Sequence, residues 1–164
     1  MQSFRVIKPT AALVPYVRHY WVLSDDALAP VSERTLPVGC VQMVFHRGRQ
    51  LFSLTEGRLQ PSSFISGQAF GYSDVESTGM LEMIVVVFQP FAAKAFLHMP
   101  VSEFRGMNVN TEEMGDPLLV DLGRRIADMP DRVACIRLIE EFLLSRLYAF
   151  PEYNLKRVST VLEA

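Results

Sequence analysis

The side chains that most often carry out chemistry are few in this sequence and lie far apart. A metal centre needs three or four imidazole and carboxylate ligands that converge on one ion, commonly with an HxH pair on one strand. The three histidines, His19, His46 and His98, form no HxH or HxxxH motif and no His–Glu pair at ligand spacing. We therefore expect no metal ion and no other cofactor, with His19 packed half-buried in a strand and His98 at a helix cap or the surface.

Nucleophilic chemistry also lacks a motif. The sequence contains no G-x-S-x-G nucleophile elbow and no glycine-rich phosphate loop. The two cysteines, Cys40 and Cys135, are far apart without CxxC spacing, and such cysteines are usually small buried apolar residues. The sequence therefore predicts a protein that is not an enzyme.

Binding of a small organic molecule is the chemistry that remains. Ligand pockets are mostly apolar, with a few polar groups at defined positions. Glu82 is an acid in a strand otherwise made of Met, Leu, Ile and Val, so it either faces a pocket or points to solvent at the start of that strand. The candidate ligand-binding residues are Trp21, Phe45, Phe52, Tyr72, Glu82 and Phe88. The alternative interpretation is that the aromatic residues among them are ordinary core.

The composition is that of one globular domain. The 164 residues are 49% hydrophobic and 21% charged, with a net charge of −2. A free-standing DNA-binding domain carries clustered Lys and Arg, so we expect no DNA binding by this chain alone. The densest apolar run, Met83 to Phe88, is far shorter than the about 20 residues of a membrane-spanning helix, and the N-terminus lacks a secretory signal. The expected location is the cytoplasm, without membrane contact.

The first half of the chain, to about Phe88, has the pattern of an all-β domain. Short runs rich in Val, Phe, Tyr and Ile are separated by Pro, Gly, Ser or Asp at intervals of about ten residues, as in sandwiches and barrels. Arg47-Gly48-Arg49 is expected to close a hairpin, and Thr10 to Val14 to form one helical turn. The strand candidates are Phe4–Ile7, Val17–Leu23, Glu33–Leu36, Cys40–His46, Gln50–Leu54, Phe64–Ser66, Gly71–Ser77 and Leu81–Phe88.

Alternation along each strand predicts which side chains share a face. In the second strand candidate, either face could line a cavity. One face would carry Val17, His19, Trp21 and Leu23, and the other Arg18, Tyr20 and Val22. In the strand that begins at Cys40, the fully apolar set is expected to face the core; it consists of Val41, Met43 and Phe45.

After Pro90 the apolar residues follow the three-and-four spacing of helices. A short helix is expected over Phe91 to Met99. Asp116-Pro117 is a strong helix start, because the Asp side chain accepts a free N–H and Pro suits the first helical position; this helix is expected to reach about Met129. Asp131 is expected to cap a second helix, antiparallel to the first.

The second helix carries an apolar stripe, which consists of Val133, Ile136, Ile139, Leu143 and Leu147. If the barrel and the preceding helix cover this stripe, it is core. If it stays exposed, the candidate dimerisation residues of a two-fold homodimer are Ile136, Ile139, Leu143 and Leu147. Another amphipathic segment begins at Leu155, and it either packs back on this domain or leads into a following one.

Four motifs follow one another along the chain. They are Leu13-Val-Pro-Tyr-Val-Arg-His-Tyr-Trp21, Arg34-Thr-Leu-Pro-Val-Gly39 running into Val41-Gln-Met-Val-Phe45, Phe64-Ile-Ser-Gly67, and Val86-Val-Phe-Gln-Pro-Phe-Ala-Ala93. In order and spacing they resemble the sensor domains of AraC/XylS-family transcription regulators, over about residues 4 to 150. The resemblance implies a cupin-like β-barrel sensor, a helical dimerisation and linker segment, and a following pair of helix-turn-helix units.

The sequence thus predicts an α+β fold: an N-terminal cupin-like β-barrel of the double-stranded β-helix or jelly-roll type, followed by a C-terminal helical hairpin. The sensor and dimerisation domain would span residues 1–150, with the barrel over about 1–90 and the helices over about 91–150. Residues 151–164 would be a linker and the truncated start of a DNA-binding domain.

The predicted function is effector sensing and dimerisation in an AraC-type bacterial transcription regulator. The expected partners are a small organic effector and a second copy of the chain, with DNA contacted only through the missing C-terminal domain. Two alternatives stay open: a cupin-type metal-dependent enzyme, and a purely structural dimerisation module. The sequence identifies neither the effector nor the operator.

Overall fold

The computed structural model describes residues 2–25, 32–35, 41–54, 56–67, 73–90, 92–97 and 108–149. The predictions made for Cys40, Tyr72, His98 and the segment 150–164 lie outside these residues.

The described residues form ten strands and two α-helices. The strands are β1 (Gln2–Ile7), β2 (Val17–Asp25), β3 (Ser32–Thr35), β4 (Gln42–His46), β5 (Phe52–Ser53), β6 (Arg58–Leu59), β7 (Ser63–Ser66), β8 (Ser73–Glu76), β9 (Leu81–Phe88) and β10 (Asn108–Asn110). The helices are α1 (Pro117–Asp128) and α2 (Arg132–Ala149), and short 3₁₀ turns lie at Ala11–Leu13, Ala93–Ala95 and Thr111–Glu113. The helical turn expected near Thr10 is therefore confirmed, whereas β6 and β10 were not predicted.

The strands form two antiparallel sheets. The larger has the order β1-β2-β9-β4-β7-β10, and the smaller has the order β3-β8-β5-β6. Within the described ranges, no strand pairing joins the two sheets into a closed barrel. The predicted α+β class is confirmed, and the β part is present as two separate sheets.

Strand β9 lies in the middle of the larger sheet, between β2 and β4. Its apolar run has no alternation, and such runs belong to strands that are covered on both faces. Every side chain from Met83 to Phe88 is buried, and the predicted bounds of this strand, Leu81–Phe88, are confirmed.

One face of the larger sheet packs against α1 and α2 and forms the main core; we call it the helix face. The sheet contributes Tyr20, Val22, Met43, Phe45, Ile65, Ile84, Val86 and Phe88, and the helices contribute Leu119, Leu122, Ile126, Cys135, Ile139 and Leu143. The ring of Phe88 stacks on Phe96 with a centroid distance of 5.5 Å, so the segment after β9 covers part of this core. The helix expected over Phe91 to Met99 is only the 3₁₀ turn Ala93–Ala95 in the part of that segment that the structure describes.

Both long helices begin where the sequence predicted. The Asp116 carboxylate accepts a hydrogen bond from the Leu119 N–H at 3.3 Å, and Pro117 occupies the first helical position of α1. The Asp131 carboxylate accepts a hydrogen bond from the Val133 N–H at 3.0 Å at the start of α2. These caps satisfy backbone donors that have no partner within the helix.

The apolar stripe of α2 is part of the core. Ile136 is 8% exposed, and Ile139, Leu143 and Leu147 are fully buried. Of the two alternatives for this stripe, the structure therefore selects core packing, and these four residues are not available for a dimer contact. Val133, which was assigned to the same stripe, is 58% exposed, so that assignment was wrong.

Strand β2 contains a β-bulge that changes which side chains share a face. Val17 is in register with Phe88 and His19 with Val87, so Arg18 is the extra residue between them. Val17 therefore points to the helix face, where it is buried in the main core. The expectation that Val17 shares a face with His19 was wrong, because alternation is interrupted at a bulge.

The bend at Arg47 to Arg49 does not close a hairpin. Strand β4 before it pairs with β7 and β9, whereas β5 after it belongs to the smaller sheet. The N–H groups of Arg47 and Gly48 donate to the Glu82 carbonyl, and the Arg49 N–H donates to the Met80 carbonyl. This bend is thus bonded to the beginning of β9 and carries the chain from one sheet to the other.

Candidate functional site

The larger sheet has a second face, on the side opposite the helices. The register of β2, β9, β4 and β7 places on it His19, Trp21, Leu23, Gln42, Val44, His46, Phe64, Ser66, Met83, Val85 and Val87. The buried residues Val44, Phe64, Met83, Val85 and Val87 form an apolar cluster here, and Trp21 and Leu23 pack on its edge. Leu51, directly before β5, also packs on this cluster, which brings the start of the smaller sheet to this side.

Trp21 is the centre of an aromatic group on the second face. Its ring stacks on the His19 ring, with a centroid distance of 5.3 Å and an interplanar angle of 28°. The Phe4 ring also lies next to Trp21, with a centroid distance of 6.0 Å and an interplanar angle of 55°. Trp21 and His19 are half-buried and Phe4 is 55% exposed, so the protein covers these rings incompletely. A surface of this kind can bind the flat face of a planar molecule.

A polar row crosses one end of the second face. His19 is in register with Val87, Val87 with Gln42, Gln42 with Ser66, and Ser66 with Asn108. We call His19, Gln42, Ser66 and Asn108 the polar row; all four side chains are half-buried. The row therefore offers uncharged hydrogen-bonding groups beside an apolar and aromatic surface, the combination that small-molecule sites use.

His19 is the residue of the polar row with a buried nitrogen that lacks a hydrogen-bond partner among the described residues. Its Nε2 atom is buried and has no hydrogen-bond partner among the described residues. Burial lowers the pKa of the imidazole below its ordinary value of 6.5, and the adjacent Arg18 charge lowers it further. At neutral pH the ring is therefore uncharged, with one nitrogen a donor and the other an acceptor.

His46 lies at the other side of the same apolar cluster and is nearly completely buried. Its Nε2 lies 2.9 Å from Oε1 of Gln60, and its ring lies 6.1 Å from the Phe64 ring. Burial lowers the pKa of His46, and the hydrogen bond with Gln60 opposes this effect in part. His46 therefore contributes a neutral, largely structural imidazole to the second face.

Glu82 neither faces a pocket nor points freely to solvent, the two alternatives drawn from the sequence. Its side chain lies on the helix face, where Oε1 accepts hydrogen bonds from Arg47 Nη1 at 2.6 Å and from Arg132 Nε at 2.9 Å. Arg47 also donates to the Met129 carbonyl, at the end of α1. The Glu82 cluster, which comprises Arg47, Glu82 and Arg132, thus ties the start of β9 to the junction between the two helices.

Tyr20 makes a second polar link between the larger sheet and α2. Its hydroxyl donates to Oε2 of Glu140 at 3.2 Å, and the Thr10 N–H donates to the same oxygen at 2.9 Å. Burial raises the pKa of Tyr20 well above its ordinary value, and the Glu140 charge and hydrogen bond raise it further. Tyr20 lies between His19 and Trp21 in β2, so this link starts from the strand that carries the aromatic group.

The aromatic residues predicted to bind a ligand do not lie together. Trp21 is on the second face, but Phe45 and Phe88 are buried in the main core on the helix face, where α1, α2 and the 92–97 segment cover them. Phe52 is half-buried in β5 of the smaller sheet, and Tyr72 is outside the described residues. The prediction that Phe45 and Phe88 share one pocket with Trp21 is therefore corrected: these two residues belong to the core.

Sequence reasoning missed Phe64 and the polar row except for His19, which it took as packing. A signal was present in β4, where polar Gln42 and His46 alternate with the apolar set that was expected to face the core. That apolar set does pack on the helices, so the polar set had to lie on the other side of the sheet.

The described residues contain no group of three or more His, Cys, Asp or Glu side chains that could hold a metal ion. No described helix has the length and hydropathy of a membrane span.

Comparison with known proteins identifies the family. The chain belongs to the family described as "Domain of unknown function (DUF6597)", which matches residues 5–110 and so covers part of β1 and the strands β2 to β10, but not α1 and α2. No curated protein is significantly similar to it in sequence. Among solved structures, it is similar to "Crystal Structure of CoII HppE in Complex with Tris Buffer", with a TM-score of 0.40 and 10% identity over 53% of each chain. The chain thus matches about half the length of that protein.

Proposed function

We propose that the chain is the effector-sensing and dimerisation part of an AraC-type bacterial transcription regulator, and that a small organic effector binds on the second face beside Trp21. The observation that carries the proposal is the pairing of incompletely covered aromatic rings with His19, whose buried Nε2 has no partner among the described residues. The family to which the chain belongs is associated with AraC-type N-terminal domains, which supports the regulatory role. In this proposal the two sheets are those of a cupin-like sensor.

The links between sheet and helices supply a route from effector to helix. His19 and Trp21 contact the effector, while Tyr20 between them holds Glu140 of α2 from the opposite face of the same strand. On β9, Met83 lies on the second face and the adjacent Glu82 holds Arg132 of α2. A small shift of β2 relative to β9 therefore changes the position of α2 on the sheet. The effector acts only through a difference in its affinity for the two arrangements.

The proposed homodimer forms through a surface other than the apolar stripe of α2, because that stripe is buried within one chain. DNA is contacted by a separate C-terminal domain, whose position depends on α2. The proposed DNA contact is thus on the helical side of the molecule, away from the effector.

The experiment is a thermal-shift screen of small organic compounds against the wild-type chain and the Trp21→Leu variant. A ligand present at 100 times its Kd stabilises the folded state by about 2.7 kcal/mol, which raises the Tm by several degrees. We expect compounds that stabilise the wild type, shift the fluorescence of its single tryptophan and leave Trp21→Leu unchanged. Tyr148→Leu, which replaces an exposed aromatic residue of α2, is the matched control and should respond like the wild type.

A screen without any stabilising compound would contradict the sensing function. If no compound stabilises the chain, and the purified protein carries stoichiometric Fe, Mn or Zn, the sensing function is wrong and a metal-dependent enzyme replaces it. If no compound stabilises it and metal is also lacking, the chain is a structural dimerisation module.

A further inference from the structure

We propose that the effector is an uncharged, planar aromatic compound with a hydroxyl group, and that His19 is the residue that selects it. This inference rests on the proposed function and adds the chemical class of the ligand. Three features of the second face carry it: the stacked rings, the distribution of charge, and the His19 nitrogen that has no partner among the described residues.

The rings favour a flat aromatic ligand. His19 and Trp21 are nearly parallel, and the Phe4 ring lies tilted beside Trp21. Aromatic rings prefer offset-stacked or edge-to-face neighbours, and both are available to a molecule that lies along this group. The exposed side chain of Val6, in register with Trp21, extends the apolar surface toward the edge of the sheet.

The charges favour a neutral ligand. The described residues of the second face include no lysine and no arginine. Their one acid is Asp25, which is six residues from His19 along β2, a distance of about 20 Å in an extended strand. The Arg18 charge beside His19 is carried by an exposed, hydrated side chain, so a bound anion gains only a weak, screened attraction from it. A carboxylate or an amine bound beside Trp21 would therefore lose more in hydration than it gains from charge, and this cost disfavours it relative to a neutral molecule.

The His19 nitrogen favours a hydroxyl group. A buried nitrogen without a partner carries a free-energy cost that a ligand can remove by pairing with it. A hydroxyl both donates and accepts, so it pairs with Nε2 whichever tautomer the neutral ring adopts. Gln42 lies two strands away, about 10 Å, and offers a further uncharged contact to a substituent on the far side of the molecule.

The test is isothermal titration calorimetry at pH 7 with two probes that share one ring system, 2-naphthol and 2-naphthoate. We expect 2-naphthol to bind the wild-type chain at least about tenfold more tightly than 2-naphthoate, because only the carboxylate is charged. His19→Phe keeps an aromatic ring but lacks the nitrogen, and it should weaken 2-naphthol binding about fivefold. His19→Gln restores a hydrogen-bonding group and should recover part of this loss.

Two controls keep the result interpretable. Val133→Ala, an exposed change on α2, should bind 2-naphthol like the wild type. Circular dichroism of each His19 variant verifies that it is folded, and if His19→Phe is not, His19→Gln and the comparison of the two probes still decide the question.

Either of two results overturns the inference: 2-naphthoate binds as tightly as 2-naphthol, or neither probe binds. In the second case the screen described above separates the two proposals. A compound that stabilises the wild type and not Trp21→Leu would leave the sensing function standing with a different class of effector. If no such compound is found, both the proposed sensing function and the inferred class of effector are wrong.

Discussion

Replacing Leu143 by alanine tests whether the apolar stripe of α2 is core or interface. The side chain is fully buried in the main cluster, together with Ile139 and Leu147 of the same helix. If the stripe is core, the substitution destabilises the folded chain itself. If it were an interface, the substitution would instead weaken the association between two chains.

The expected magnitude follows from the burial. Removing a buried leucine side chain forfeits about 2 kcal/mol of transfer free energy, and the cavity left behind adds to this, so the total is about 2–5 kcal/mol. Because Leu143 is completely buried, with covered neighbours on either side, we expect about 3 kcal/mol. With an m value of about 2 kcal/mol per molar, the urea midpoint falls by about 1.5 M.

The assay is urea unfolding followed by far-ultraviolet circular dichroism, with sedimentation analysis at several protein concentrations. Val133→Ala is the matched control, since it truncates an apolar residue of the same helix that is 58% exposed. Its free energy of unfolding should stay within about 0.5 kcal/mol of the wild type.

The reasoning is refuted if Leu143→Ala leaves the urea midpoint of the monomer unchanged and raises the dissociation constant of a homodimer. That result would mean that the stripe is covered by a second chain in solution.

Glu82→Gln leaves the nearly buried Arg47 without its carboxylate, so we expect a loss of about 1–3 kcal/mol in urea unfolding; an equal effect of the exposed control Glu141→Gln would contradict the role of the Glu82 cluster. In Gly48→Ala the new Cβ would lie 2.5 Å from the Met80 carbonyl oxygen, a backbone atom that cannot turn away, so the same assay should show a loss of about 1–3 kcal/mol. Because burial lowers the pKa of His46 in the folded chain, the unfolded chain protonates His46 at a higher pH than the folded chain does. The contribution of His46 to stability is thus present above pH 6.5 and is lost as the pH falls, so His46→Gln should lose less stability than the wild type between pH 6.5 and 5; equal slopes would show that His46 is not held neutral.

Local sequence signals were sufficient for the elements whose own residues carry a strong pattern. The uninterrupted apolar run of β9 and the cap at Asp116-Pro117 each determine an element boundary without reference to the rest of the chain, and both were predicted at the observed positions. The strands β6 and β10 are short and largely polar, so they carry no hydrophobic alternation and were missed.

The candidate site depended on information that a single strand does not contain. Alternation separates Phe45 from Gln42, but which set meets the helices is decided by packing. The bulge at Arg18 exists only in the pairing of β2 with β9. The partners of Glu82 are 35 and 50 residues away, so the sequence could not show that its charge is used between sheet and helix.

The most direct test of effector binding on the second face is the ¹H–¹⁵N spectrum of the chain during titration with a stabilising compound. The sequence contains one tryptophan, so the spectrum contains a single indole N–H signal, that of Trp21. We expect this signal and the amide signals of His19 and Gln42 to shift with one common Kd. A compound that binds while the Trp21 indole signal stays in place, with shifts confined to α1 and α2, would contradict a site on the second face.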